Sequence, residues 1–218
     1  MSCPICHVRK EKRFCLALHD RICPQCCGEQ REVTLACPAE CPYLQQARQH
    51  EKPHDWQESP PAEMFPAVRL RQDFLELHEP LITGVLATLS KVSRSDRQLT
   101  DRELIGALAN MVRSQQTLIT SGLVYEETLA NPAQQAIGSV LRQVLQEFRD
   151  LEQKHLGYAR LKDSDVLQAL VFVVRLAHVH TSGRPLSRGF IDFLQQQFRE
   201  AATSLDSVGE GGSRIIIP

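Results

Sequence analysis

The chain has 218 residues, with 25 Lys and Arg against 26 Asp and Glu, so its formal net charge is −1. A near-neutral balance excludes the strongly basic footprint of a nonspecific nucleic-acid binder, and the longest apolar run, Val166 to Val174, is far shorter than the roughly 20 residues that span a bilayer. Met1-Ser2-Cys3 shows no charged n-region, apolar h-region or cleavage site, so a cytoplasmic location is expected.

All eight cysteines fall between Cys3 and Cys41 and come mostly as short pairs: Cys3 with Cys6, Cys23 with Cys26 and the adjoining Cys27, and Cys37 with Cys41; Cys15 stands alone. Such pairs can bring two thiolates to one tetrahedral Zn²⁺ with Zn–S bonds of about 2.3 Å. In a reducing compartment a dense cysteine cluster favours metal over disulfides. A segment of about 40 residues cannot bury an adequate core, so two structural zinc ions are expected to supply its folding free energy. An interleaved arrangement ties the segment into one unit, with Cys3, Cys6, Cys23 and Cys26 on the first ion and Cys15, Cys27, Cys37 and Cys41 on the second. His19, four residues after Cys15, competes with Cys27 for the second site; Cys27 is preferred because it leaves no free thiol. His7 reads as a solvated loop side chain.

The flanking residues add local expectations. Each Cys-Pro step fixes φ and removes a donor that a tight knuckle would have to satisfy, and Gly28 is read as a positive-φ residue. Arg31 to Leu35 alternates as a short β segment. A helix beginning near Pro38 or Pro42 and running through Tyr43, Leu44 and Arg48 would put Cys37 and Cys41 on one face.

In order and spacing these cysteines resemble the cross-brace fingers of the B-box and HIT-type zinc families. Where those families place distal histidine ligands this chain has Cys37 and Cys41, so their partners do not carry over. The strings Ile22-Cys-Pro-Gln-Cys-Cys-Gly-Glu-Gln-Arg-Glu-Val and Cys37-Pro-Ala-Glu-Cys-Pro-Tyr-Leu are similar to those of uncharacterised bacterial proteins carrying a cysteine module ahead of a helical region. That resemblance implies no activity.

Three other chemistries compete. Four thiolates also hold iron–sulfur clusters, although ferredoxin-like runs space their cysteines more closely and repetitively. Adjacent Cys26 and Cys27 beside basic residues could be low-pKa thiols that lose zinc on oxidation. The run Arg9, Lys10, Lys12 and Arg13 could bind phosphate, with Phe14 as the nearby stacking residue. However, Met1 to Ala36 holds six Lys or Arg against four Asp or Glu, and eight thiolates on two zinc ions would leave about −4 more. A solvated hairpin is the preferred reading of the run.

Pro53, Pro60, Pro61 and the sole tryptophan, Trp56, mark a linker over 49–65 after the 1–48 module. Trp56 is expected to pack back and fix the relative orientation of the two parts. The segment 66–206 reads as an antiparallel bundle of about five helices. The first runs from Pro66 to about Leu89 with Leu70, Phe74, Leu77, Leu81, Val85 and Leu89 inward, and Pro80 is placed to kink it. Thr100 and Glu103 form a capping box for the second, through Leu104, Leu108, Met111 and Leu118. Asn131-Pro132 opens the third, with Ile137, Val140, Leu141, Val144, Leu145, Phe148 and Leu151 inward and Gly157 near its end. Asp163 or Ser164 caps a fourth, apolar nearly all round and hence central. A fifth begins near Ser187, carries Phe190, Ile191, Phe193, Leu194 and Phe198, and fades by Leu205.

The bundle offers no catalytic motif: there is no phosphate loop, nucleophile elbow or H-E-x-x-H. His178 and His180 read as a helix-end pair facing the terminal carbonyls, Lys154 and His155 suit a helix C-terminus, and Glu126-Glu127 beside Tyr125 reads as solvated. No catalytic residue and no enzyme activity are expected. The tail over 207–218 pairs a flexible spacer, Gly209 to Ser213, with an apolar end, Arg214, Ile215, Ile216, Ile217 and Pro218, suited to adding to a partner's sheet edge or groove or to folding back. The sequence therefore points to a cytoplasmic zinc-binding adaptor or assembly protein with an unidentified protein partner and no membrane role; nucleic-acid regulation and redox sensing are the alternatives.

Overall fold

The computed structural model describes residues 1–50, 62–71, 73–123 and 131–199. The linker residues Pro53, Trp56, Pro60 and Pro61, the group Tyr125, Glu126 and Glu127, and the tail from Leu205 through Arg214 to Pro218 lie outside the described residues. The architecture is mainly α, with a small N-terminal cysteine module followed by a helical bundle.

The N-terminal module opens on a knuckle closed by Cys3 N–H donating to the Arg9 carbonyl and His7 N–H to the Cys3 carbonyl, both at 2.8 Å. Strands β1 (Arg13–Cys15) and β2 (Asp20–Ile22) then pair antiparallel, with Phe14 opposite Arg21. Helix α1 (Pro24–Gln30) starts where it does because the Cys23 sulfur accepts the Cys26 N–H at 3.4 Å and Pro24 supplies a first-turn φ. Gly28 is therefore a helical residue, not a positive-φ one. Arg31 to Leu35 is not a strand. The N–H groups of Val33, Thr34 and Leu35 all converge on the Gln30 carbonyl at 3.0–3.1 Å, which folds the segment into a turn with Glu32 at φ 52°. Helix α2 (Pro42–His50) begins at the later of the two prolines, so Cys37 and Cys41 flank a turn closed by Cys41 N–H on the Pro38 carbonyl and do not share a helix face.

The bundle begins with a 3₁₀ turn, Ala62–Met64, and the helix expected from Pro66 is broken into α3 (Phe74–Leu77) and α4 (Glu79–Ser95). Arg175 donates to the carbonyls of Met64, Phe65 and Val68 at 3.0, 2.8 and 2.7 Å, fixing those acceptors from a distant helix. Pro80 sits in the first turn of α4 and starts a helix instead of kinking one. Leu77 is correspondingly exposed. Helix α5 (Asp101–Ser121) keeps its capping box, Thr100 N–H donating to Glu103 at 2.8 Å, and ends at Gly122 with φ 70°. Helix α6 (Pro132–Leu156) is capped by Asn131, whose side chain accepts the Ala133 N–H at 2.9 Å, and ends at left-handed Gly157. Helix α7 (Asp163–His180) takes Lys162 as its cap, so Asp163 is already its first residue. Helix α8 (Gly189–Gln197) completes the described part.

Helix α7 is central, packing against α4, α5, α8 and the 3₁₀ turn, and buries Val166, Leu170, Val171, Val173 and Val174. Helices α5 and α7 are antiparallel: Asp101 meets the segment after the end of α7, while Gln115 reaches the Asp163 carbonyl at its start. Helix α6 departs from the antiparallel expectation for neighbours. Its Gln134 lies over Gly106 of α5, and its Arg149 shares Asp163 with Gln115, so α5 and α6 run in the same sense. Ile137, Leu141 and Leu145 are buried as expected, but Val140 and Leu151 are exposed.

Two glycines behave oppositely. A Cβ on Gly189 would lie deep inside contact with the His180 carbonyl oxygen, whereas one on Gly28 would meet nothing within 4 Å. Gly189→Ala is expected to lower stability by about 1–3 kcal/mol or more, and Gly28→Ala to raise it by about 0.5–1 kcal/mol. Denaturant unfolding of the two variants checks the sign.

Candidate metal centre

The knuckle and α1 bring the sulfurs of Cys3, Cys6, Cys23 and Cys26 together, every ligand atom within 4.8 Å of the others. Cys6 and Cys23 are 4.0 Å apart, close to the roughly 3.8 Å edge of a tetrahedron with 2.3 Å metal–sulfur bonds. Cys3, Cys23 and Cys26 are buried and Cys6 partly so.

Backbone N–H groups aimed at sulfur stabilise the thiolate form. Those of Arg9 and Val8 hold the Cys6 thiol down to about 6. For Cys3, burial pushes upward but is outweighed by N–H groups of Cys23, Cys6 and Ile5, leaving it below its usual value. Cys26 goes the other way: burial, then the Cys23, Cys6 and Cys3 sulfurs, push it up to about 12. Cys3 and Cys6 are thus favoured as thiolates, whereas the three neighbouring sulfurs oppose a thiolate at Cys26, an opposition that a cation among them would offset. That donor set fits a divalent metal; when bound, such an ion supplies a cross-link between the knuckle and α1, and the closed ring of sulfurs keeps no position for water.

The other four cysteines sit on separate elements. Cys15 ends β1, Cys27 projects from α1 at an angle of about 100° from Cys26, and Cys41 precedes α2; all three are buried, and Cys37 is partly buried. Burial pushes the Cys37 thiol up, the Glu32 N–H opposes this, and Cys41 and Cys15 add to the rise, so these groups are electrostatic neighbours. The Cys27 sulfur accepts a hydrogen bond from Arg13 Nη1 at 3.6 Å. Among the described residues, only the first quartet gathers its ligand atoms within 4.8 Å. His19, in the hairpin turn at φ 52°, and His7, at φ 55°, are both exposed.

The module is seated on the bundle through buried charge, a feature that no local sequence pattern signals. Glu32, 1% exposed, accepts from Arg48 at 3.0 Å and from Ser182 Oγ at 2.8 Å, and its carbonyl accepts the Leu186 N–H at 2.8 Å. Arg48 on α2 also bonds Asp192 of α8 at 2.7 Å. Arg184 donates to the carbonyls of Gly28 and Arg31 at 3.2 and 2.7 Å, satisfying the C-terminal end of α1. The segment between α7 and α8 is thus the seat of the cysteine module.

His178 and His180 lie in the last turn of α7, but burial holds both imidazoles below their usual range, so they do not serve as terminal cations. His180 instead stacks on Phe193, ring centroids 3.8 Å apart. Lys154 and His155 occupy the last turn of α6. No helix among the described residues is long and apolar enough to cross a membrane.

No family model matches the chain, and no curated protein or solved structure is significantly similar to it.

Proposed function

We propose that this chain is a zinc-binding adaptor or assembly protein of the cytoplasm, in which two structural Zn²⁺ ions fold the N-terminal module and hold it on the helical bundle. The convergence of Cys3, Cys6, Cys23 and Cys26, with N–H groups already turned toward their sulfurs, carries this reading. The composition of the module's core supports it: the buried cluster consists of Cys3, Cys15, Cys23, Cys26 and Cys27 with only Ile22 and Leu35. So little hydrocarbon cannot offset the ordering of the segment, and metal binding can. Cys15, Cys27, Cys37 and Cys41 would hold the second ion. Cys27 is preferred to His19 because it is buried beside Arg13 while His19 faces solvent.

The role in assembly is supported by apolar surface at the far end of the bundle. Because α5 and α6 run in the same sense, their C-terminal ends lie together, and Ile119, Leu123, Leu151, Leu156 and Tyr158 are all exposed there. Such grouping marks partner surfaces. The tail segment Arg214 to Pro218 is proposed as a second partner-binding element.

Native mass spectrometry of the untagged chain with elemental analysis tests the metal. The expected result is two zinc ions per chain, removed by a strong chelator with loss of the module's amide-exchange protection while helical circular dichroism persists. A single zinc ion would remove the second site, and iron would move cluster chemistry to the front. For the adaptor role, Leu151→Asp combined with Leu156→Asp is expected to abolish copurification of a protein partner without lowering Tm; retention of the partner would exclude this surface.

A further inference from the structure

A cavity of about 370 Å³ opens where the 3₁₀ turn, the first turns of α5, the start of α6 and the segment after α7 meet. That volume lies near the lower end of the range for small-molecule sites. Its walls come from elements that other contacts already fix. Glu63 enters from the 3₁₀ turn, which Arg175 holds through the Met64 and Phe65 carbonyls. Arg184 enters from the segment between α7 and α8, with Nη1 anchored on the Gly28 and Arg31 carbonyls, while Nε and Nη2 make no hydrogen bond among the described residues. Arg102, exposed in the first turn of α5, has a guanidinium with no ion pair or hydrogen bond among the described residues. The Gln134 amide reaches over Gly106 into space that any Cβ there would occupy. Buried His178 adds no charge, because burial holds its imidazole below the usual range.

Two guanidiniums against one carboxylate leave the cavity with an excess of positive charge. In a partly enclosed space an oxyanion gains more from such groups than it does in bulk water. The planar fork of arginine matches the oxygens of carboxylate and phosphate. Glu63 does the reverse, repelling an anionic group and accepting from a hydroxyl or ammonium, and the Gln134 amide can donate or accept. We infer that this cavity binds a small organic oxyanion, a carboxylate or phosphate monoester that also bears a hydroxyl or amino group. Arg102 and Arg184 take the oxyanion, and Glu63 takes the donor on the body of the ligand. The inference draws on none of the cysteines, so it stands or falls apart from the metal reading.

Isothermal titration calorimetry of the full chain with phosphoethanolamine, glycerate and inorganic phosphate tests this. The first two separate phosphate from carboxylate, and the third removes the organic body. At least one organic probe is expected to bind with a Kd of about 1 mM or tighter, and at least about 10-fold tighter than inorganic phosphate. Arg102→Gln should weaken that probe by about 10-fold or more, while Arg113→Gln, at an exposed arginine of α5 outside the cavity, should leave it unchanged. Glu63→Gln should act in opposite directions, weakening the organic probe and strengthening inorganic phosphate, because it removes both the acceptor charge and the repulsion. Should circular dichroism show that Arg102→Gln fails to fold, this opposition at Glu63 decides the matter alone. Organic probes that bind no tighter than inorganic phosphate would reduce the site to general charge and overturn the assignment. Binding that survives Arg102→Gln in a folded chain, Glu63→Gln effects of one sign, or no saturable heat from any probe up to about 10 mM would overturn it as well.

Discussion

Replacing Asp101 with alanine is expected to cost about 3–5 kcal/mol, or about 10 °C in Tm for a chain of this size. Asp101 is the first residue of α5, yet its buried carboxylate serves another helix. Oδ2 accepts from Ser187 Oγ at 2.8 Å and from Phe190 N–H at 3.2 Å, and Oδ1 accepts from Ile191 N–H at 3.1 Å. Its own N–H donates to the Ser187 carbonyl at 2.8 Å. Asp101 therefore caps α8 from across the bundle, placing a carboxylate at a helix N-terminus, where it is favoured. Burial pushes its carboxyl up, against the hydrogen bonds of Ser187, Ile191 and Phe190. Alanine leaves three buried donors without an acceptor, each costing about 1–3 kcal/mol before relaxation. Asparagine keeps one acceptor oxygen and should lose roughly half as much. Denaturant unfolding followed by far-UV circular dichroism decides the matter: an alanine variant within about 1 kcal/mol of wild type would mean that these bonds do not hold α8 in place.

What could be read in the sequence was what depends on near neighbours. Thr100 with Glu103, Asn131 with Pro132, and Gly157 act within one helical turn, and their structural roles match the reading. The meeting of Cys3 and Cys6 with Cys23 and Cys26 was legible because pair spacing reflects knuckle geometry, and only a few ways of sharing a metal close a short chain into one unit. The features that were missed depend on distant residues. Arg175 captures the carbonyls of Met64, Phe65 and Val68, and nothing near Pro66 hints that the expected helix will be refused there. Leu151 fits the apolar stripe of α6 yet is exposed, because whether a stripe residue is covered depends on elements distant in sequence. Glu32 alternates with Val33 like a solvent-facing strand residue; its burial comes from Ser182, Leu186 and the α2 residue Arg48, which no local pattern reveals.

Glu32 also gives the second large effect. Glu32→Ala is expected to lower stability by about 3 kcal/mol, toward the lower end for breaking a buried ion pair, because Arg48 retains Asp192 at 2.7 Å. The backbone provides a check on mechanism. Glu32 holds φ 52°, a conformation costly for any residue with a Cβ. Glu32→Gly loses the same carboxylate but relieves that strain, so it should be more stable than Glu32→Ala by about 1 kcal/mol. If the two variants coincide, the turn has shifted and the ion pair is not what is being measured. A cycle with Arg48→Ala should then return a coupling of about 0.5–3 kcal/mol between the two charges. The spatial signature is specific: amide exchange should quicken in α1 and in the segment that carries Ser182, Arg184 and Leu186, while α5 and the centre of α7 stay protected. Such a pattern would mean that the charge network decides where the cysteine module sits. An apolar contact could hold the module on the bundle as firmly, but Glu32 requires Arg48 and Ser182 at one register. Ordering the segment between α7 and α8 thereby fixes which face of the module is left exposed.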